Sequence, residues 1–251
     1  MNLVLDIHNH TLASGHAYST VLELAAEAKK TGLSLIAITD HAPAMPNSTG
    51  EFYFLNFRAI PHQLNEVKIM MGVELNIMDI SGRVDLDELV FKSLCPVIAS
   101  FHYPCYKFSK ADMSEDERTA EITTAIKNVM DNPFIHIIGH PGDQMYPFDT
   151  EEIVKKSLDT GTLLEINEAN LNVDSSKFSR PGTHDKMLEI LKVCKKESCP
   201  VVLGSDAHFA HHTGKLKSSL ELLKEADFPS ELVANTSVEY FLSLLKRSMT
   251  P

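Results

Sequence analysis

Seven short apolar runs recur along the chain, at 3–7, 33–38, 67–73, 95–101, 134–138, 163–166 and 200–203, and each is too short to make a useful helix. Runs of this length bounded by polar punctuation read as buried strands. Between them the spacing turns helical. Thr20-Val21-Leu22-Glu23 has the form of a capping box and opens a helix carrying Val21, Leu22, Leu24, Ala25 and Ala28, stopped near Gly32. A helix is predicted around 57–64, and another over 84–94 from Leu86, Leu89, Val90 and Leu94. Ser114, followed by Glu115, Asp116 and Glu117, caps a helix reaching about Met130, and Asp149-Thr150-Glu151-Glu152 opens one ended by Gly161. Helices over 215–226 and 237–247 complete the pattern, with a short strand or turn at 231–234. Strands alternating with helices predict an α/β protein with a parallel sheet. Seven such units in 251 residues favour a closed (β/α) barrel over a doubly wound sheet.

The polar residues that follow these runs are of one kind. His8 and His10 close the first, Asp40 and His41 the second, Glu74 the third, His102 the fourth and His140 the fifth; Glu165 and Asn167 mark the sixth, Asp206 and His208 the seventh. In a (β/α) barrel the C-terminal strand ends converge on one mouth, so residues scattered over 200 positions are expected to share one site. Side chains two apart on an extended chain point the same way, which lets His8 and His10 reach a single transition-metal ion.

Composition narrows the class. Hydrophobic residues make up 43% and charged residues 23% of the chain, with no Gly/Ser/Pro-rich linker or long charge block, and we read residues 1–251 as one domain. A formal net charge of −11 argues against nucleic acid as a bulk partner. No run approaches 18 apolar residues, and the first is too short for a signal-peptide core and has no basic flank; we therefore expect a cytoplasmic protein with no membrane partner. Cys95, Cys105, Cys194 and Cys199 form no C-x-x-C pair and read as reduced packing residues.

Taken together, Asp6-Ile7-His8-Asn9-His10-Thr11, Ser14-Gly15-His16-Ala17, Ile38-Thr39-Asp40-His41, Gly72-Val73-Glu74, Phe101-His102, His140-Pro141-Gly142 and Gly204-Ser205-Asp206-Ala207-His208 closely resemble the PHP (polymerase and histidinol phosphatase) family, in its stand-alone phosphatase branch. The resemblance covers essentially the whole chain. It implies a distorted (β/α)7 TIM-like barrel and a trinuclear site of divalent ions, zinc foremost, with manganese or iron compatible. Carried over residue by residue, it assigns one ion to His8, His10, Glu74 and Asp206, a second to Glu74 as a bridge with His102 and His140, and a third to His16, His41 and His208. The implied activity is that of a phosphatase or phosphoesterase: hydrolysis of a small phosphomonoester by a metal-bridging hydroxide, with Glu74 and Asp206 acting through the ions they hold. Three divalent ions against two carboxylates would make a cationic well in an acidic protein.

Other residues carry weaker signals. Asp6 and Asp40 stand beside ligands, either orienting an imidazole or capping backbone. Arg180 resembles a basic position of this branch and is either a phosphate clamp or an exposed loop arginine. Glu165 and Asn167 are left outside the site, His136 is read as a hydrogen-bonded core histidine, and His62, His184, His211 and His212 as surface residues. Two other functions share parts of this pattern. An amidohydrolase-type enzyme shares H-x-H and a late Asp, but its usual lysine bridge is replaced here by His102; a non-catalytic metal scaffold would have lost ligands, and all nine are present.

Overall fold

The computed structural model describes residues 1–171 and 182–247. Among these, the strands are β1 (Leu5–Asp6), β2 (Leu35–Ile38), β3 (Gln63–Leu64), β4 (Val67–Met71), β5 (Val73–Asn76), β6 (Val97–Ser100), β7 (Ile137–Ile138), β8 (Leu163–Asn167) and β9 (Val201–Gly204). The helices are α1 (Val21–Lys30), α2 (Glu51–Leu55), α3 (Glu88–Phe91), α4 (Glu115–Met130), α5 (Thr150–Thr160), α6 (Glu168–Leu171), α7 (Thr183–Glu197), α8 (Lys217–Glu225) and α9 (Val238–Arg247). Capping boxes at Thr20 and Ser114 form as their sequences imply. Each supplies an orphan backbone N–H with a side-chain oxygen.

One sheet runs β1-β2-β4-β3 and the other β5-β6-β7-β8-β9; every pairing is parallel except β3 with β4. Gly72 separates β4 from β5, and there the chain changes partner from β2 to β6. A Cβ at Gly72 would stand 2.1 Å from the Pro96 carbonyl oxygen, so only glycine permits this approach. The sheets meet at their C-terminal ends through parallel bridges between Asn9 and Ala207 and between His41 and Glu74. At the N-terminal end Asn235 latches the same seam: its Nδ2 donates to the carbonyls of Leu5 (3.0 Å) and Leu203 (2.8 Å), and its Oδ1 accepts from Leu203 N (2.7 Å).

Leu5, Leu35, Ile98, Ile137, Leu163 and Val202, each from a different strand, pack together with Ile7, and α9 adds Val238, Phe241, Leu244 and Leu245 to that cluster. A larger cluster joins the alternate strand residues to α3, α4, α5, α7 and α8. The strands are thus buried on both faces, which is why they read as continuous apolar runs. Burial of each large side chain contributes about 1.5–3 kcal/mol. No helix among the described residues is long and apolar enough to cross a membrane.

Two local expectations need correction. The helix predicted over 57–64 is replaced by a 3-10 turn at Phe57–Ala59 and the strand β3. Leu64 pairs with Val67, and Asn65 and Glu66 between them have φ of 50° and 67°, the two-residue hairpin loop whose twist suits paired strands. Over 84–94 only α3 is helical, capped by Asp87; Leu86 and Leu94 are buried from irregular backbone. In helix α7, Met187, Ile190, Leu191 and Cys194 repeat at helical spacing and are all buried. At 231–234 the chain forms 3-10 turns around Val233, which bridges to Val201.

Candidate metal centre

Beyond β1 the backbone is held by Asn9, whose N–H donates to Thr39 Oγ1 (3.2 Å) and whose Nδ2 donates to the Ala37 carbonyl (3.2 Å). This places the imidazoles of His8 and His10 with ring centroids 5.0 Å apart. Both face Glu74, a buried residue of β5. His8 Nε2 lies 3.4 Å and His10 Nε2 3.5 Å from Glu74 Oε2, and the same nitrogens lie 3.7 Å and 3.1 Å from Asp206 Oδ1. Corners of a tetrahedral shell with bonds of about 2.1 Å are about 3.4 Å apart, so these separations suit one ion. Glu74 Oε1 faces His140 Nε2 (2.9 Å) and His102 Nε2 (3.4 Å), while His41 Nδ1 approaches Glu74 Oε2 to 2.7 Å. One carboxylate therefore meets five histidines. On the far side His16 Nε2 and His208 Nε2 are 2.9 Å apart.

Four of these atoms, His8 Nε2, His10 Nε2, His41 Nδ1 and Glu74 Oε2, are buried and make no hydrogen bond of acceptable geometry. A buried polar atom left without a partner costs about 1–3 kcal/mol, so four of them converging on one point call for a cation. Donor atoms within 4.8 Å of one another form three groups: His8, His10 and Glu74; His41, Glu74 and His102; and His10, His41 and His208. The nine expected ligands thus come together, but the grouping is less partitioned than the expected one: His41 touches Glu74, and His10 is shared between groups.

Five of the remaining imidazole nitrogens are occupied. His8 Nδ1 pairs with Glu165 Oε1 (2.8 Å), His10 Nδ1 with Ser14 Oγ (2.9 Å) and His102 Nδ1 with Asn76 Oδ1 (2.7 Å). His16 and His208 turn their Nδ1 atoms to the carbonyls of Ser14 (3.1 Å) and Asp206 (3.0 Å). Such partners fix the tautomer and leave Nε2 as the lone-pair donor. Behind Ser14 stands Asp40, which accepts from Ser14 Oγ (2.6 Å), Thr11 N (2.6 Å) and Tyr53 OH (2.7 Å). Behind Asn76 stands Asp85, accepting from its Nδ2 (2.6 Å) and fixing Oδ1 toward His102. His140 and Asp206 have φ of 29° and 54°, a left-handed backbone that non-glycine residues hold where a site demands it.

Charge is strongly redistributed. Burial opposes ionisation of Glu74 and Asp206, yet the surrounding histidines hold both well below the ordinary carboxylate range. Burial likewise opposes charge on His8, but Glu165, Glu74 and Asp206 together raise its pKa well above the usual imidazole value. His140 is raised against burial by its hydrogen bond to Glu74. Burial lowers His10, helped by His41 and His208, and burial brings His41 down to about 3. Low-pKa imidazoles stay neutral and ready to donate a lone pair.

Asp6 takes the capping alternative: its oxygens accept from the backbone N–H groups of Ser205 (3.0 Å) and Gly214 (2.8 Å), and it touches no imidazole. Asp40 acts on His10 only through Ser14. Glu165, left outside the site from sequence, belongs beside it: it is fully buried against His8 and also accepts from His140 N (2.7 Å), with Asn167 Nδ2 at 3.2 Å. A Cβ at Gly204 would meet Glu165 Oε1 at 2.0 Å, so glycine leaves room for this pair. His136 is a core histidine, accepting from Val97 N (2.9 Å), with burial pushing it down to about 4. His62, His184, His211 and His212 are exposed. Arg180 lies outside the described residues.

The PHP domain model matches residues 6–168. A Clostridium novyi (strain NT) protein described as a probable phosphatase is 42% identical over 98% of this chain and 96% of its own. A probable phosphatase of Acetivibrio thermocellus is 41% identical over 98% and 97%. Among solved structures, the histidinol phosphate phosphatase of Lactococcus lactis, crystallised with zinc, L-histidinol and phosphate, covers 90% of this chain and 94% of its own with a TM-score of 0.59 and 21% identity, a likeness of fold.

Proposed function

The chain belongs to the PHP domain family, and from that premise we propose that it is a metal-dependent phosphatase, a single PHP barrel over residues 1–251 that hydrolyses small phosphomonoesters. The observation that carries this reading is the convergence of unsatisfied buried donor atoms on Glu74. Names of relatives above 40% identity over nearly the full chain support the reaction class. Zinc stands in the Lactococcus protein and suits these nitrogen-rich donors, which manganese or iron also fit. Free cysteines at 95, 105, 194 and 199 support a reducing, cytoplasmic setting.

In this reading His8, His10, Glu74 and Asp206 hold one ion, Glu74, His102 and His140 a second, and His16, His41 and His208 a third. When bound, the ions supply positive charge for the phosphoryl oxygens and a water-derived nucleophile at neutral pH. The residues do the rest. Glu74 is the hub, presenting one oxygen to each side. Glu165, Ser14 and Asn76 fix the ring tautomers, so that little reorganisation is needed when charge develops on the phosphoryl group. Arg180 is assigned as an additional phosphate contact.

The test is hydrolysis of p-nitrophenyl phosphate by purified protein, with metal counted by elemental analysis. We expect about three equivalents of metal per chain, loss of activity on chelation and its return on adding zinc or manganese. Full activity in chelated, metal-free protein would end this reading.

A further inference from the structure

Four of the segments that follow the ligands carry no charged residue. Segments 11–20, 42–50, 103–106 and 207–214 contain no Asp, Glu, Lys or Arg, in a chain where those residues make up 23%. What these loops expose instead is apolar. Leu12 is 58% exposed, Tyr18 73%, Tyr103 74% and Phe209 53%. Leu12 and Tyr18 each lie two residues beyond a ligand, His10 and His16, and Tyr103 and Phe209 follow His102 and His208 directly. At about 3.8 Å per residue, all four Cα atoms lie within roughly 8 Å of a ligand's Cα.

Three of them come from segments tied together. Tyr18 N donates to the His208 carbonyl (2.9 Å), Leu12 N to the Ser19 carbonyl (2.9 Å), and Ala210 N to Ser19 Oγ (2.8 Å). The backbone therefore holds Leu12, Tyr18 and Phe209 on one shelf beside the His16–His208 pair, and Tyr103 stands beside His102. Charged groups in the neighbouring β5–α3 loop are engaged elsewhere: Arg83 pairs with Asp79 (2.9 Å), and Asp85 receives Asn76 and Ala44 N. An exposed aromatic side chain beside a strongly polar centre is costly in water and gains by stacking on an apolar partner.

We infer that this shelf receives the organic half of the substrate and selects phosphomonoesters whose alcohol is uncharged and aromatic or otherwise broadly apolar. The inference rests on the phosphatase reading above and deepens it. A second phosphate would meet no free cation in these four segments, and an amino-alcohol would meet no free carboxylate there. A planar apolar group would cover Tyr18 and Phe209 while its phosphate lies at the histidine cluster.

Two measurements test this with metal-replete protein. Benzyl phosphate and ethyl phosphate are both esters of primary alcohols, so their difference reads the shelf rather than leaving-group chemistry. We expect kcat/KM for benzyl phosphate to exceed that for ethyl phosphate roughly tenfold, mainly through KM, and to exceed that for glucose 6-phosphate by at least as much. In a Tyr18→Ser/Phe209→Ser variant with unchanged zinc content the benzyl-to-ethyl ratio should fall below about threefold, whereas Leu158→Ser, exposed on α5, should leave the ratio as it is. Calorimetric binding of benzylphosphonate against methylphosphonate separates this inference from the reaction itself. Tighter binding of benzylphosphonate with no hydrolysis of any ester would retain the shelf and sink the phosphatase reading. Equal kcat/KM for benzyl and ethyl phosphate, or faster turnover of glucose 6-phosphate, would overturn the shelf.

Discussion

Replacing Glu165 by Gln keeps the shape of the side chain and removes its charge. Glu165 accepts on both oxygens, from His8 Nδ1 at 2.8 Å and from His140 N at 2.7 Å, in a fully buried setting. An amide has one acceptor. If its oxygen stays with His140 N, its NH2 confronts His8 Nδ1–H; if it turns over, it confronts the His140 N–H. Either way one buried donor loses its acceptor at a cost of about 1–3 kcal/mol, and the charge-assisted bond to His8 is lost. The cost falls on the orientation and basicity of His8, so it should appear as a 10- to 100-fold weakening of metal affinity. The assay is zinc competition against a chelator of known affinity, alongside kcat with saturating zinc and a thermal melt of the loaded protein. We expect weaker zinc binding, with much of kcat restored at saturating zinc. Zinc affinity within twofold of wild type would refute the reasoning, because it would mean that the tautomer of His8 is set by something other than Glu165.

Other substitutions probe separate links. Gly204→Ala puts a methyl group where Glu165 Oε1 would be 2.0 Å away and His8 Cβ 2.7 Å away, so overpacking should cost about 1–3 kcal/mol in urea unfolding and lower zinc content as well; a variant with normal melt and metal would contradict the packing. His16→Ala should remove about one metal equivalent without lowering the melt of the chelated protein, whereas an unchanged metal count would make His16 an ordinary loop histidine. His136 supplies the pH test: its folded pKa of about 4 lies below the ordinary 6.5 or so, so its contribution to stability is complete above pH 6.5 and is lost as pH falls toward 4, up to about 3 kcal/mol. Urea titrations of chelated wild type and His136→Gln should therefore show a shallower acid slope for the variant, and parallel slopes would show that His136 titrates normally.

Much of the architecture is legible because its strands are buried on both faces and so appear as unbroken apolar runs. The register of His8, His41, Glu74, His102, His140 and Asp206 at the ends of those runs makes the candidate site legible in the sequence itself. The grouping of donors was not visible, because whether His41 leans on Glu74 depends on rotamers. Nor was the role of Glu165, which meets His8 across 157 positions. A signal did exist: a glutamate inside the apolar run Leu163-Leu164-Glu165-Ile166 is costly unless it finds a partner. The hairpin at Asn65 and Glu66 is not legible, because apolar spacing alone does not distinguish a short helix from a turn with two positive φ values. The buried positions of α7, by contrast, are periodic in the sequence itself.

The seam between β1 and β9 has a further consequence for the newly made chain. His8 and His10 are made well before Asp206, His208 and the latch residue Asn235. A complete donor set cannot exist until the last strand has docked beside the first, a contact across almost the whole sequence and one that is slow to form. Early histidines on their own offer an ion only a partial and weakly held shell, and the affinity that rewards metal capture is released by the same event that closes the fold. Loading thus becomes a signature of the closed seam: a chain truncated before residue 200 would carry seven of the nine donors and keep Glu74, yet lack Asp206, the second carboxylate facing His8 and His10.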